Sequence, residues 1–183
     1  MTLTSAEKQF LLSSARLSLE KLFDKTIVIE IPDDEEMPTL FEEAGAFVTL
    51  WYNEKLRGCI GFVLPQDTIF QTVLAAAELA ATQDPRFPPV KEYEINDINI
   101  EISVLSPPFP IKSYDDIVLG EHGLILKEGN NSGLLLPQVP IEHSMNRDEY
   151  LTALCKKAGL PGNHWQQKKL FLQAFTATVF EEE

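Results

Sequence analysis

Hydrophobic residues recur at helical spacing in three parts of the chain, and each part carries a start or stop signal for a helix. The middle part is rich in alanine, and its small side chains would let a helix pack unusually close to a sheet. The predicted helices run from the capping pair of Thr4 and Glu7 to about Phe23, over residues 68–82 before Pro85, and from the capping pair of Asn146 and Glu149 to Gly159.

Strands are predicted where apolar and polar residues alternate with a period of two, most clearly over residues 98–104. Helices and hairpins are interspersed without regular βαβ alternation, which predicts an α+β fold of mainly antiparallel sheets with flanking helices. We expect one domain, residues 1–183, with room for a larger and a smaller lobe. The other predicted strands are a hairpin of residues 46–52 and 55–63, a hairpin of residues 124–127 and 133–136, and a closing strand of residues 171–180.

The net charge of the chain argues against two classes of partner, nucleic acids and membranes. Lys and Arg number 15 and Asp and Glu number 28, which gives a formal net charge of −13. Such a surface repels phosphate backbones and anionic lipids, so the charge argues against binding to nucleic acid or to a membrane. No apolar run approaches the roughly 18 residues of a membrane span, and the N-terminus lacks a secretory pattern. The two cysteines, far apart in sequence, fit a reducing compartment, and we expect a cytoplasmic protein.

The most unusual segment is Leu-Arg-Gly-Cys-Ile-Gly at residues 56–61. In a strand, alternation would place Arg57 and Cys59 on one face, where the guanidinium would favour the thiolate. Gly58 and Gly61 predict the close approach of a backbone or a ligand. One interpretation is therefore a nucleophilic Cys59 assisted by Arg57. The alternative is a small buried Cys59 between glycines that make room for the alanine-rich helix.

A second unusual segment begins at Asp84 and reads Asp-Pro-Arg-Phe-Pro-Pro. Asp84 and Arg86 could form an ion pair that holds this loop, or they could present a fork to an anion. His122 is the candidate base for Cys59, with a hydrogen-bonded structural role as the alternative. The histidines lack metal-ligand spacing and no nucleotide-binding glycine loop occurs, so we predict no metal and no cofactor. Cys155 lies on the apolar stripe of its helix and is predicted to be buried.

Six short segments stand out in order along the chain: FVTL at 47–50, LRGCIG at 56–61, DPRF at 84–87, SVLS at 103–106, GEHGL at 120–124 and LLLPQ at 134–138. Together they resemble the AMMECR1 domain family, and the resemblance covers about residues 41–180. The resemblance implies an α+β fold of two lobes with antiparallel sheets, and it makes LRGCIG the functional centre. It also implies a Memo-like protein and a radical SAM protein as possible partners, with this chain as component A of an AmmeMemoRadiSam-type system. It does not imply a reaction.

Two hypotheses about function stay open at this point. In the first, the chain is an accessory or interaction component, LRGCIG is a structural hub, and function lies in contact with a Memo-like or radical SAM partner. In the second, the chain is a thiol-dependent enzyme in which Cys59 is the nucleophile and Arg57 lowers its pKa or binds an anionic substrate. Asp84, Arg86 and His122 would then line the cleft. The sequence leaves the oligomeric state open.

Overall fold

The structure, a computed structural model, describes residues 2–183 and divides into two compact units. The first unit comprises residues 2–105 and 178–183, and the second comprises residues 106–177. Each unit contains one four-stranded antiparallel sheet with helices packed against it, which confirms the predicted α+β class. Within the described residues, no helix is long and apolar enough to cross a membrane.

The helices and strands follow one another in a simple order along the chain. Short 3₁₀ helices at Pro38–Phe41, Glu92–Asp97 and Tyr114–Asp116 join some of them. The elements are α1 (Ser5–Glu20), β1 (Ala46–Tyr52), β2 (Lys55–Phe62), α2 (Ile69–Thr82), β3 (Ile98–Leu105), β4 (Phe109–Ile111), β5 (Gly123–Glu128), β6 (Asn131–Leu135), α3 (Val139–Glu142), α4 (Arg147–Lys157), α5 (His164–Gln167), β7 (Leu172–Phe175) and β8 (Ala177–Glu181).

The sheet of the first unit has the strand order β2-β1-β3-β8, and α1 and α2 pack against it. Strand β3 alternates between buried and half-buried residues as predicted, so Ile100 and Ile102 face the core. The β1–β2 hairpin turns through Asn53 and Glu54, which both have positive φ angles, at 50° and 61°. That pair of left-handed residues is typical of a two-residue turn whose twist matches the strands.

The sheet of the second unit has the strand order β4-β7-β5-β6, and α4 packs on β5 and β6. The core between them contains Leu124 and Leu154, both fully buried, and Cys155 is fully buried as predicted. The Tyr150 side chain is also fully buried, and its hydroxyl lies within 3.3 Å of three main-chain carbonyl oxygens. The capping box of Asn146 and Glu149 begins α4 as predicted, because each side chain accepts a main-chain N–H of the other.

The prediction of one closing strand over residues 171–180 is wrong. The segment forms β7 in the second sheet and β8 in the first, separated by Thr176. The Thr176 N–H donates to Ser106 Oγ at 2.9 Å, and its carbonyl accepts the Ser106 N–H at 2.9 Å. Thr176 thus bonds Ser106 and belongs to neither β7 nor β8. The first helix is also shorter than predicted, because α1 ends at Glu20 rather than near Phe23.

Candidate functional site

The LRGCIG segment lies on β2, which is an edge strand of the first sheet. Its glycines sit where no side chain fits. A Cβ added at Gly58 would lie 2.2 Å from the carbonyl oxygen of Ala80 in α2, and one added at Gly61 would lie 2.3 Å from the carbonyl oxygen of Ala46. The close approach predicted from Gly58 is therefore the backbone of the alanine-rich helix. No ligand is needed to explain either glycine.

Asp84 directly follows the turn at the end of α2, and its carboxylate accepts four hydrogen bonds. It is 4% exposed. Its carboxylate accepts the Cys59 N–H at 2.8 Å, the Arg86 N–H at 3.0 Å, and two guanidinium N–H groups of Arg86 at 2.9 and 2.7 Å. The bonds from Arg86, joined by the one from Cys59 and opposed by burial, hold the pKa of Asp84 well below its usual range. The predicted ion pair between Asp84 and Arg86 is thus present.

Asp84 and Arg86 close the free edge of β2 at Cys59. The Cys59 N–H points away from β1 and donates to Asp84, while the Cys59 carbonyl accepts from the Arg86 guanidinium at 3.3 Å. One acceptor and one donor therefore stand where a neighbouring strand would supply the same pair. An edge strand closed in this way is less available for pairing with another strand. The Arg86 side chain remains 53% exposed, so its outer part faces solvent.

Arg57 is held by a different carboxylate. Its guanidinium donates to both oxygens of Glu94, at 2.7 and 3.0 Å, and to the Pro88 carbonyl at 2.9 Å. The Arg57 and Glu94 side chains are only 12% and 9% exposed. The bond from Arg57 is the main reason that the pKa of Glu94 is lowered. The hydrogen bonds of Arg57 therefore go to the loop that follows α2 and to the 3₁₀ helix after it.

The register of β2 on β1 is broken at Arg57. Gly58 pairs with Leu50, whereas Leu56 pairs with Trp51, so Arg57 is an extra residue without a partner on β1. A bulge of this kind bends the strand and redirects the side chains near it. The placement of Arg57 and Cys59 on one face stays a prediction, and the bonds of the Arg57 guanidinium go to Glu94 and Pro88.

The Cys59 thiol lies beside Thr49 and Arg86, and its interaction with the guanidinium is one of the smaller reasons that the pKa of Arg86 is raised, after the bond to Asp84. Thr49 Oγ1 lies 3.3 Å from the Cys59 sulfur, and Thr49 itself is 8% exposed. Cys59 is half-buried, which places it between the two alternatives drawn from the sequence. Cys155 is fully buried, and burial raises the pKa of its thiol. The chain thus contains one partly accessible and one enclosed cysteine.

His122 belongs to the second unit, where its contacts are local. Its Nδ1 accepts the Val118 N–H at 3.2 Å, and its ring meets Phe109 edge-on with 5.5 Å between centroids. These contacts correspond to the hydrogen-bonded structural role, and catalysis by His122 stays a prediction. Within residues 2–183, no three His, Cys, Asp or Glu side chains are grouped so that they could hold a metal ion.

Sequence reasoning missed Glu94 and Thr49. Glu94 has a local signal, because its carboxylate accepts the Lys91 N–H at 2.7 Å and so closes a turn three residues back. Nothing local connects it with Arg57, which is 37 positions away. Thr49 could have been found from the hairpin register, which places it directly opposite Cys59.

Comparisons with known proteins agree with this fold. The family model AMMECR1 matches residues 12–180. A protein of Thermococcus onnurineus is 44% identical over 96% of this chain and 90% of its own length. Protein MK0488 of Methanopyrus kandleri is 42% identical over 99% of this chain and 91% of its own length. A crystal structure of the uncharacterized protein PH0010 from Pyrococcus horikoshii superposes with a TM-score of 0.81 at 39% identity and covers 99% of this chain and 94% of that one.

Proposed function

The chain belongs to the AMMECR1 family, and from that premise we propose that it is an accessory component that acts by contacting partner proteins. The partners that the family resemblance implies are a Memo-like protein and a radical SAM protein. In this proposal LRGCIG keeps a contact surface in shape and carries out no chemistry of its own. The supporting observation is that the polar groups of the motif and of the loop behind it are satisfied inside the fold.

The bonding of the two arginines supports this proposal most directly. An enzyme that activates a thiol needs a free cation or base beside the sulfur. Arg57 instead forms a two-bond pair with Glu94, and the strongest bonds of Arg86 go to Asp84. Breaking either pair would leave a buried carboxylate without its counter-charge, which is costly. Both arginines therefore act mainly on structure.

The contact surface we assign, called the motif surface, consists of the exposed parts of Arg86 and Tyr93. Tyr93 is 76% exposed and directly precedes Glu94, the partner of Arg57. An exposed tyrosine on a rigid support is a common anchor of protein interfaces, together with arginine. The ion pairs behind the motif surface hold these side chains in position before a partner arrives, which lowers the entropy cost of binding.

The test is binding of the purified chain to the Memo-like and radical SAM proteins of the same genome, measured by titration calorimetry. Tyr93→Ala should weaken binding at least about tenfold. Phe171→Ala is the matched control, because Phe171 is a 91% exposed aromatic residue in the second unit. Cys59→Ser should leave the affinity unchanged. The proposal fails if wild type binds neither protein, or if the two aromatic variants behave alike.

Thiol chemistry is the second candidate, and the partial exposure of Cys59 favours it. It is tested by the pH dependence of alkylation in the native protein, with Cys155 read in the same digest. Fast labelling of Cys59 with an apparent pKa clearly below about 8.5 would support the enzyme. Slow labelling at neutral pH would instead support the accessory function.

A further inference from the structure

The second unit contains a cavity of about 470 Å³ whose wall is unusually basic for this protein. The unit as a whole is balanced, with seven Lys or Arg and seven Asp or Glu side chains. Four of those basic residues but only two of the acidic ones line the cavity. In a chain of net charge −13, this is a local excess of positive charge. The basic residues of the wall are Lys112, Arg147, Lys168 and Lys169.

Two of these cations are already neutralised by carboxylates. Arg147 forms an ion pair with Asp115, and Lys168 Nζ lies 2.9 Å from Glu128 Oε1. Lys112 and Lys169 have no carboxylate oxygen within 4.0 Å among residues 2–183. Two uncompensated ammonium groups on one wall repel each other, and an anion between them would remove that repulsion. Asp148 also lines the wall and forms no ion pair among residues 2–183, so two free ammonium groups face one free carboxylate and the wall favours an anionic ligand.

An aromatic pair forms another part of the wall. Tyr114 and Trp165 meet edge to face, with 6.0 Å between ring centroids and an interplanar angle of 80°. Their polar atoms are bonded within the unit, because the Tyr114 hydroxyl accepts the Leu170 N–H at 2.8 Å and the Trp165 Nε1–H donates to Thr152 Oγ1 at 3.1 Å. The rings are thereby fixed, and they offer an apolar surface against which a planar group can pack.

We propose that this cavity binds an organic phosphate that carries a planar ring, of the size of a nucleoside monophosphate. The phosphate lies between Lys112 and Lys169, and the ring packs against Trp165. A phosphate monoester carries about −1.5 to −2 charges at neutral pH and has three acceptor oxygens, so it can accept hydrogen bonds from both ammonium groups at once. The cavity volume lies within the range of about 300 to 1,000 Å³ that is typical of small-molecule sites. A nucleic-acid polymer is disfavoured by the net charge of the chain.

The test is titration calorimetry of the full chain with adenosine 5′-monophosphate, inorganic phosphate and adenosine as separate probes. The monophosphate should bind more tightly than either fragment. Lys112→Met and Lys169→Met should each weaken its binding about tenfold, the usual loss when one bond to a charged group is removed. Emission of Trp165, read in a Trp51→Phe variant, should change with the same dissociation constant.

Lys156→Met and Lys157→Met are the matched controls. Both lysines are exposed at the end of α4, outside the cavity, and each substitution removes the same charge. Their effect should stay within about twofold. The proposal is overturned if the monophosphate gives no binding at millimolar concentration, if the controls lose as much affinity as the cavity variants, or if inorganic phosphate binds as tightly as the monophosphate. Partner binding through the motif surface is measured separately, so the two proposals can fail independently.

Discussion

The two units of the molecule have similar sheets, but one is strongly acidic and the other has no net charge. The first unit has 21 acidic and eight basic side chains and so carries the whole net charge of −13, whereas the second has seven of each. The first unit also contains buried carboxylates, at Glu7, Asp84 and Glu94. No Asp or Glu side chain within residues 106–177 is buried.

The two units place their charged side chains differently. In the first unit, charged groups are part of the interior and fix loops to strands, as Asp84 and Glu94 do on either side of the motif. In the second unit, the buried polar group is the neutral hydroxyl of Tyr150, and the charges lie at the surface around a cavity. Buried ionic contacts impose geometry at a high desolvation cost, while surface charges remain free to meet a ligand.

The largest expected effect is on the packing of the motif. Gly58→Val places a branched side chain against the Ala80 backbone, which cannot move aside as a flexible side chain could. We expect a loss of at least about 3 kcal/mol or no folded protein. Gly129→Ala in the second unit is the control, because nothing lies within 4 Å of an added Cβ and only its positive φ of 58° is penalised, by about 1 kcal/mol. Urea unfolding monitored by circular dichroism measures both.

The second largest effect is expected when a buried carboxylate is neutralised, and it is compared with the same change at an exposed carboxylate. Asp84→Asn removes the negative charge that pairs with Arg86. It also replaces one carboxylate oxygen by an NH₂ group, which would face the N–H donors of Cys59 or Arg86. We expect about 3 kcal/mol of destabilisation. Asp115→Asn breaks an ion pair whose carboxylate side chain is 81% exposed, and should cost less than about 0.5 kcal/mol. Equal losses in urea unfolding would remove the distinction between the units.

The units should also respond to opposite ends of the pH scale. Hydrogen bonds from Arg86 and Arg57 lower the folded-state pKa values of Asp84 and Glu94. Their stabilisation is present above the unfolded values of about 3.9 and 4.3 and is lost as the pH falls toward the folded values. Glu101 opposes this trend, because burial raises its pKa. The effect at pH 3 should be smaller than that of Asp84→Asn, because protonation is only partial.

In the second unit, burial raises the pKa values of Tyr150 and Cys155. Their neutral forms are therefore stabilised below the unfolded pKa values of about 10 and 8.5, and this stability is lost as the pH rises beyond those values. Emission of Trp51 alone, in a Trp165→Phe variant, should report the acid-sensitive unit. Emission of Trp165 alone, in a Trp51→Phe variant, should report the alkali-sensitive one. Identical pH profiles would contradict this assignment.

The parts of this comparison that sequence could predict are the local ones. The β1–β2 hairpin, the capping boxes of α1 and α4, and the burial of Cys155 follow from contacts between residues a few positions apart. The partner of Arg57 does not, because the pair with Glu94 depends on a bulge and on a loop placed by tertiary packing. The division of residues 171–180 into two strands depends in the same way on a distant residue, because Ser106 bonds the main chain of Thr176 at the break.

The smallest expected effect compares the two cysteines as a matched pair, one in each unit. Cys155→Ser buries a hydroxyl in an apolar core and should cost about 1–2 kcal/mol in urea unfolding. Cys59→Ser should cost well under 1 kcal/mol, because the site is half-buried and Thr49 Oγ1 is already there to bond the new hydroxyl. A Cys59→Ser loss as large as that of Cys155→Ser would mean that the thiol itself is a packing element of the motif. In that case partial exposure could no longer be used as an argument for thiol chemistry, and the ion pairs around Asp84 and Glu94 would be only part of what holds β2 in place.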